Sequence, residues 1–300
     1  MDEPNPSGLP FSGSPVLPQT FDDSKRIQFR CRKGIACWNA CCSNIDISLT
    51  PYDIVRLKQH LELSSSEFLN RYTVPYEMEK DGIAGVKLRP VDGGTACRFM
   101  TDAGCGVYAD RPTACRYYPV ALLSMRKQDE SIDRQYYAIV REDHCLGHQE
   151  PRTQTIDEYR AEQGLPEYDD LAHGWRQLIL KKKSSGPTVG KPSKRSLELF
   201  FMTCYDIDRF RSFVASDSFS GIYDLPADEL HAMLLDDVTL LQFGFRFLRQ
   251  VLFGEMTIPM RAESVEQRRA RLAEQRSRIE REAAERLARD DDEGGAYVDV

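Results

Sequence analysis

The chain has 300 residues, enough to bury a core without covalent crosslinks, so its nine cysteines are not needed to replace one. A formal net charge of -7 argues against nucleic acid as the main partner, because phosphate binding rests on a basic field. No stretch approaches the roughly 18 apolar residues of a membrane span. The start MDEPNPSGLPFSGSPVLPQTF also lacks the basic segment and unbroken apolar run of a secretory signal, so a cytoplasmic protein with reduced thiols is expected.

Residues 1–26, with Pro4, Pro6, Pro10, Pro15 and Pro18 among Gly and Ser, offer little to bury and are expected to be disordered, with the fold starting near Ile27. The segment CRKGIACWNACC follows, four cysteines in twelve positions. Ile45, Ile47 and Leu49 then alternate as in a short strand. Thr50 is placed to cap a helix that has Pro51 at its first position, Asp53 in its first turn, and Ile54, Leu57 and Leu61 at helical spacing.

A second helix is expected from Ser65, with Glu67 near its first turn. GIAGVKLRPVDGGTACRFM reads as a strand and a turn broken at Gly93-Gly94, and IDRQYYAIV, 132–140, as a strand. TIDEYRAEQG and YDDLAHGWRQLIL suggest helices. The basic run KKKSSGPTVGKPSKR, 181–195, reads as an exposed loop.

SLELFFMTCYDIDRFRSFV and DELHAMLLDDVTLLQFGFRFLRQVLF are both helical in pattern and should form a bundle closing over the earlier part. Residues 261–290 change to Arg, Glu, Ala and Gln, with only Val265, Leu272, Ile279 and Leu287 in an apolar line. That is too thin for a strong coiled coil, and a charged, exposed helix that docks a partner or self-associates is expected. Residues 291–300 should be a disordered acidic tail.

The expected fold class is therefore α+β, mainly helical. A small cysteine-rich core with short strands spans 27–150, a helical extension 151–260, and a long charged helix 261–290. No G-x-S-x-G elbow, P-loop or G-x-G-x-x-G fingerprint is present, so hydrolase, NTPase and dinucleotide-binding readings have no motif support.

Eight of the nine cysteines fall between 31 and 145: Cys31, Cys37, Cys41, Cys42, Cys97, Cys105, Cys115 and Cys145. In a reducing compartment such a cluster points to metal ligation or redox chemistry rather than to structural disulfides. Thiolate donors select zinc or iron-sulfur clusters, and eight of them suffice for two four-ligand sites or for one site with thiols left for exchange. The spacing C-x5-C-x3-C-C matches neither the paired C-x2-C knuckles of a zinc ribbon nor the ferredoxin patterns. The adjacent pair can serve different metals or different corners of one cluster.

In the second group, Gly104, Gly106 and Pro112 supply turns that bring Cys97, Cys105 and Cys115 together. Arg111 and Arg116 place positive charge near the thiolates, or else act as ordinary surface or ion-paired arginines. His144 and His148 flank Cys145 and are alternative nitrogen donors. Cys204, alone in FFMTCYDI, reads as a small core residue.

The order CRKGIACWNACC, ISLTPYDIVRL, CRFMTDAGCGVYADRPTACRYYP and Cys145-Leu146-Gly147 resembles the YkgJ-type cysteine-cluster family, a zinc- or iron-chelating domain, over roughly residues 29–150. Its most distinctive piece is G-C-x-x-Y-x-x-R-P-x-x-C-R-x-Y-P, matched from Gly104 to Pro119. The resemblance carries metal-binding roles to Cys37, Cys41, Cys42, Cys97, Cys105, Cys115 and Cys145, with Cys31 as the first of the group. The first group departs from the family's compact C-x2-C-x2-C-C form by its longer intervals.

The family includes the cysteine-cluster part of flagellin lysine N-methylases, so the resemblance also implies an iron-sulfur-dependent enzyme, of oxidoreductase or protein methyl-transfer type, as an alternative to a metal-binding role. A thiol redox sensor built on Cys41 and Cys42 is a third reading. The number of cysteines favours an iron-sulfur cluster, [4Fe-4S], over Zn2+. The partner, protein or small molecule, is open at this level.

Overall fold

The computed structural model describes residues 19–78, 83–125, 134–184 and 193–294. Most of the expected acidic tail, and Pro4 to Pro18, lie outside the described residues. Backbone pairing already begins at Phe21, whose N–H and carbonyl both bond Tyr137 at 2.8 Å, ahead of the expected start at Ile27.

In chain order the first elements are β1 (Arg26–Gln28), β2 (Ser48–Leu49), α1 (Pro51–His60), α2 (Ser65–Tyr72), β3 (Thr73–Met78) and β4 (Ile83–Leu88). Next come β5 (Met100–Thr101), β6 (Gly104–Cys105), α3 (Thr113–Tyr117), β7 (Val120–Met125), β8 (Arg134–Ile139) and β9 (Thr153–Thr155). The helical part holds α4 (Ile156–Glu162), α5 (Leu165–Ser184), α6 (Lys194–Tyr205), α7 (Ile207–Val214), α8 (Asp217–Ser220), α9 (Ala227–Leu235), α10 (Asp237–Phe253) and α11 (Ala262–Gly294). The fold is α+β and mainly helical.

The strands pair antiparallel in small groups: β1 with β9, β5 with β6, β7 with β8, and a three-stranded sheet in the order β2-β4-β3. The pairing of β1 with β9 sets Ile27 opposite Gln154 and so ties together the two ends of the cysteine-rich segment. The run TVPYEM carries no expectation from its pattern, yet forms β3. It lies at the sheet edge, where Pro75 removes no obligatory ladder bond.

Local chemistry explains the helix starts. Thr50 and Asp53 close a capping box on α1, Ser64 and Glu67 one on α2, and Thr155 and Glu158 one on α4, each satisfying two donors at the helix start. The two long helical patterns are each broken at an aspartate. Asp206, between α6 and α7, accepts from Ser65 Oγ at 2.6 Å and Ser66 Oγ at 2.9 Å, so α2 captures the break from outside. Asp236 ends α9 and caps α10 through Thr239 N–H at 2.6 Å. Lys181 to Lys183 lie in the last turn of α5 rather than in a loop, a favourable end for cations on the helix dipole; residues 185–192 of that expected loop are outside the described ones.

Two hydrophobic clusters result. The larger joins α1, α2 and the three-stranded sheet to α5 through α10, with Phe200, Phe210, Phe219, Phe243 and Phe247 buried at its centre. Burying such rings contributes the larger share of folding energy, at about 25 cal/mol per Å² of apolar surface. The smaller contains Ile27, Phe29, Tyr117, Val120, Tyr137, Ile139, Ile156, Tyr159 and Leu165. The cysteines lie where these clusters meet. α11 carries i,i+4 pairs Arg276–Glu280 and Arg278–Glu282, and Ile279 is exposed on it. Among the described residues no helix is long and apolar enough to cross a membrane.

Candidate metal centre

The segment after β1 winds into a single short helical turn at Ala40–Cys42, entered by Asn39 in the left-handed region, φ 66°. Asn tolerates that conformation because its short polar side chain bonds locally, and here its Nδ2 donates to Thr101 O at 3.1 Å. The turn is thereby tied to the β5–β6 hairpin. Cys97 N–H donates to Cys42 O at 2.8 Å, and Cys105 pairs across the hairpin with Met100. At Gly104, φ is 124° and Trp38 stands 3.0 Å from where a Cβ would be, so the Gly-Cys pair of the motif is a backbone requirement.

Cys115 sits on α3, whose first residue is held from another helix. Asp53 Oδ1 accepts from Thr113 N at 2.8 Å and from Thr113 Oγ1 at 2.7 Å. The turn before it is fixed by Asp110, which accepts from Arg56 Nε at 2.9 Å and lies 2.8 Å from His60 Nδ1. Cys145 follows β8, and the chain beyond it is clamped to the first cysteine segment. Leu146 N–H donates to Cys37 Sγ at 3.3 Å, Arg30 N–H to Gly147 O at 3.0 Å, and Arg32 Nε to Glu150 Oε2 at 3.0 Å. A side chain at Gly147 would stand 2.5 Å from the Phe29 ring, which explains the glycine two places after Cys145.

All eight cysteines between 31 and 145 line one cavity of about 340 Å³. Cys31 and Cys41 are exposed at its mouth, Cys97 is buried, and Cys37, Cys42, Cys105, Cys115 and Cys145 are half-buried. None of the nine cysteines forms a disulfide. Among the described residues no three Cys, His, Asp or Glu side chains are grouped closely enough to close on one ion as they stand. The thiols surround a volume rather than a point.

The electrostatics follow from crowding. Loss of water, then neighbouring Cys41, Cys37 and Cys145, push the Cys31 thiol up to about 11, with Arg111 opposing. Cys97, Cys105 and Cys115 are also raised, first by burial. Cys41 goes the other way, down to about 7, because the Cys42 thiol hydrogen-bonds its thiolate, while the same bond holds the proton on Cys42. A cavity whose thiols repel one another's ionisation is stabilised by a bound cation that accepts several thiolates at once.

The two arginines separate. Arg111 lines the cavity, stacked 4.1 Å over Tyr108 and donating to Tyr108 O at 2.8 Å and Gln163 Oε1 at 2.6 Å, and its charge reaches Cys31 and Cys105. Arg116 is buried and does not line the cavity. It donates to Arg111 O at 3.0 Å, Gln163 O at 2.7 Å and Tyr168 OH at 2.9 Å, and is neither a surface group nor a partner of carboxylates. His144 lines the cavity, 3.6 Å from Glu142. His148 instead packs edge-on against Phe29 and bonds Val140 O at 3.0 Å, away from the thiols. Cys204 is buried in the larger cluster.

Sequence reasoning passed over Tyr118, Glu142 and Trp38, which also line the cavity. The signal for Tyr118 was present, as the tyrosine of R-x-Y-P in the motif. Its buried hydroxyl has no hydrogen-bond partner, yet it faces Cys145 and Glu142. A buried donor without a partner is costly, and one turned toward a thiol-lined space suits a sulfur-rich group within it. The residues present therefore fit a thiophilic metal or cluster.

The fold is mainly helical α+β, and eight cysteines line one cavity within it. Residues 30–160 match the family model CxxCxxCC, described as "Putative zinc- or iron-chelating domain". No curated protein and no solved structure shows significant similarity to the chain.

Proposed function

We propose that the chain is a cytoplasmic metal protein that holds an iron-sulfur cluster, [4Fe-4S] in preference to Zn2+, through Cys31, Cys37, Cys41, Cys42, Cys97, Cys105, Cys115 and Cys145. The observation that carries this reading is the convergence of eight thiols, from segments up to 114 positions apart, on one cavity while the ninth is in the core. Sulfur donors dominate the lining and His148 is turned away, which suits iron-sulfur or all-thiolate zinc sites. Thiols spread around a volume fit a group with its own extent better than a single ion. Such a cluster, when bound, supplies one-electron transfer; the residues supply ligation, and Arg111 offsets the negative charge of the thiolates.

Purification without oxygen, followed by iron, zinc and acid-labile sulfide analysis with optical spectra, tests it. Iron with matching sulfide and charge-transfer absorption that bleaches on reduction is expected. Zinc without sulfide assigns the cavity to Zn2+, and neither metal overturns the reading.

A thiol redox switch is a second reading, favoured by one observation: Cys41 is exposed and adjacent to Cys42 on one short helical turn. An unchanged thiol count after mild oxidant removes it.

A further inference from the structure

The eight thiols are not evenly connected. Cys42 is bonded through its carbonyl to Cys97 N–H, Cys97 is joined to the hairpin carrying Cys105, and Cys42, Cys97 and Cys105 all pack on the larger hydrophobic cluster. Cys115 is held to the same body by Asp53 of α1. Cys145, by contrast, packs on the smaller cluster with Phe29 and Tyr118. The segment of Cys31 and Cys37 is clamped to it by Leu146 N–H on Cys37 Sγ, by Arg30 N–H on Gly147 O, and by the Arg32–Glu150 pair.

Solvent access agrees at its extremes, with Cys37 and Cys145 half-buried like Cys42, Cys105 and Cys115. Cys31 and Cys41 are exposed, whereas none of Cys42, Cys97, Cys105 and Cys115 is. Cys41 and Cys42, adjacent on one short helical turn, stand on either side of the division.

We propose that the cavity holds two four-thiol metal sites: a deep one formed by Cys42, Cys97, Cys105 and Cys115, and a mouth one formed by Cys31, Cys37, Cys41 and Cys145, with the adjacent pair giving one thiol to each. This rests on the metal-binding reading above and specifies it. Each set takes a thiophilic metal, as an ion or as a cluster, and loading draws its four thiols together. The deep site is enclosed by the fold, so its metal leaves only when that part of the fold opens. The mouth site is open to solvent, with Arg111 and His144 in the same cavity, and exchanges its metal directly.

The full chain is loaded in parallel with Zn2+ and, without oxygen, with ferrous iron and sulfide. Metal per chain and the time course of release to excess chelator are then measured. Two phases of equal size are expected, separated by 10-fold or more in rate. Cys31→Ser and Cys145→Ser should each remove the fast phase and about half the metal while leaving the slow phase in place, and Cys105→Ser should remove the slow one. A single release phase from the unsubstituted chain, or complete metal loss in Cys31→Ser and Cys145→Ser alike, overturns the two-site assignment while leaving metal binding intact. No metal retained under either loading overturns the metal-binding reading itself. The release measurement uses the unsubstituted chain, so a Cys105→Ser chain that fails to fold does not decide the outcome.

Discussion

Asp53 and Thr113, 60 positions apart, join the start of α1 to the start of α3: one carboxylate oxygen accepts both the backbone N–H and the hydroxyl of Thr113, while the other accepts from Thr50 N–H. Asp53 is fully buried. Replacing it with Ala removes a capping box and leaves buried donors unpaired, for an expected loss of about 2–4 kcal/mol. Urea unfolding measures this, and because Cys115 rides on α3, metal retention should fall with stability.

Metal removal should act unevenly along the chain. Residues 27–155, drawn together by the thiols, should lose hydrogen-exchange protection under chelator, since structural metal binding supplies folding energy on the order of 10 kcal/mol. The aromatic cluster of α6, α7 and α10 rests on its own packing and should keep its protection. Equal loss in both parts would show that the helical extension also depends on the metal.

Thiol ionisation gives metal uptake a defined pH dependence. Cys31, Cys42, Cys97, Cys105 and Cys115 are raised above the usual 9.0, and Cys41 is lowered to about 7. At pH 8 the five raised thiols are protonated, whereas Cys41 is the one shifted toward its thiolate. Loading at that pH should release close to one proton for each raised thiol bound, and affinity should climb as pH rises from 6 to 9, as chelator competition and pH-stat titration will show. The metal-free chain runs the opposite way: its raised thiols favour the protonated form, so their contribution to stability is full below about 9 and is lost as pH rises further.

Arg111 and Arg116, five positions apart, should respond differently to substitution. Arg116→Lys cannot reproduce bonds to several carbonyls and a tyrosine, and should cost about 2–3 kcal/mol of stability. Arg111→Gln removes the cation that faces Cys31 and Cys105 and should weaken metal binding with a change in Tm of only a few degrees. Thermal melts paired with chelator competition separate the two.

Gly147→Ala places a methyl group against Phe29, in the clamp between Cys145 and the first cysteine segment. Overpacking there should cost about 1–3 kcal/mol. Calorimetry on the full chain gives the value, and Phe29→Leu, which shortens the obstructing ring, should recover part of it.

Much of this was readable from residue order because it is local. Thr50, Pro51 and Asp53 announce α1 through capping chemistry that needs only neighbours in sequence, and the aromatic and β-branched residues of IDRQYYAIV mark β8. The strand TVPYEM was missed because its pattern is weak and it becomes a strand only by pairing with β4. The breaks at Asp206 and Asp236 were missed for a related reason. Helical periodicity runs through both, and at Asp206 it is the serines of α2 that hold the interruption.

The sequence by itself determined that eight cysteines form a group and that Cys204 does not belong to it, because clustering and motif spacing are properties of residue order. Only the tertiary structure decided which neighbours reach the thiols. Arg111 faces them while Arg116 is spent on carbonyls, His144 lines the cavity while His148 packs on Phe29, and Tyr118 turns an unpartnered hydroxyl toward Cys145. The direction a side chain takes depends on hydrogen bonds and packing contributed by distant segments, and those partners are fixed only when β1 meets β9 and α1 meets α3.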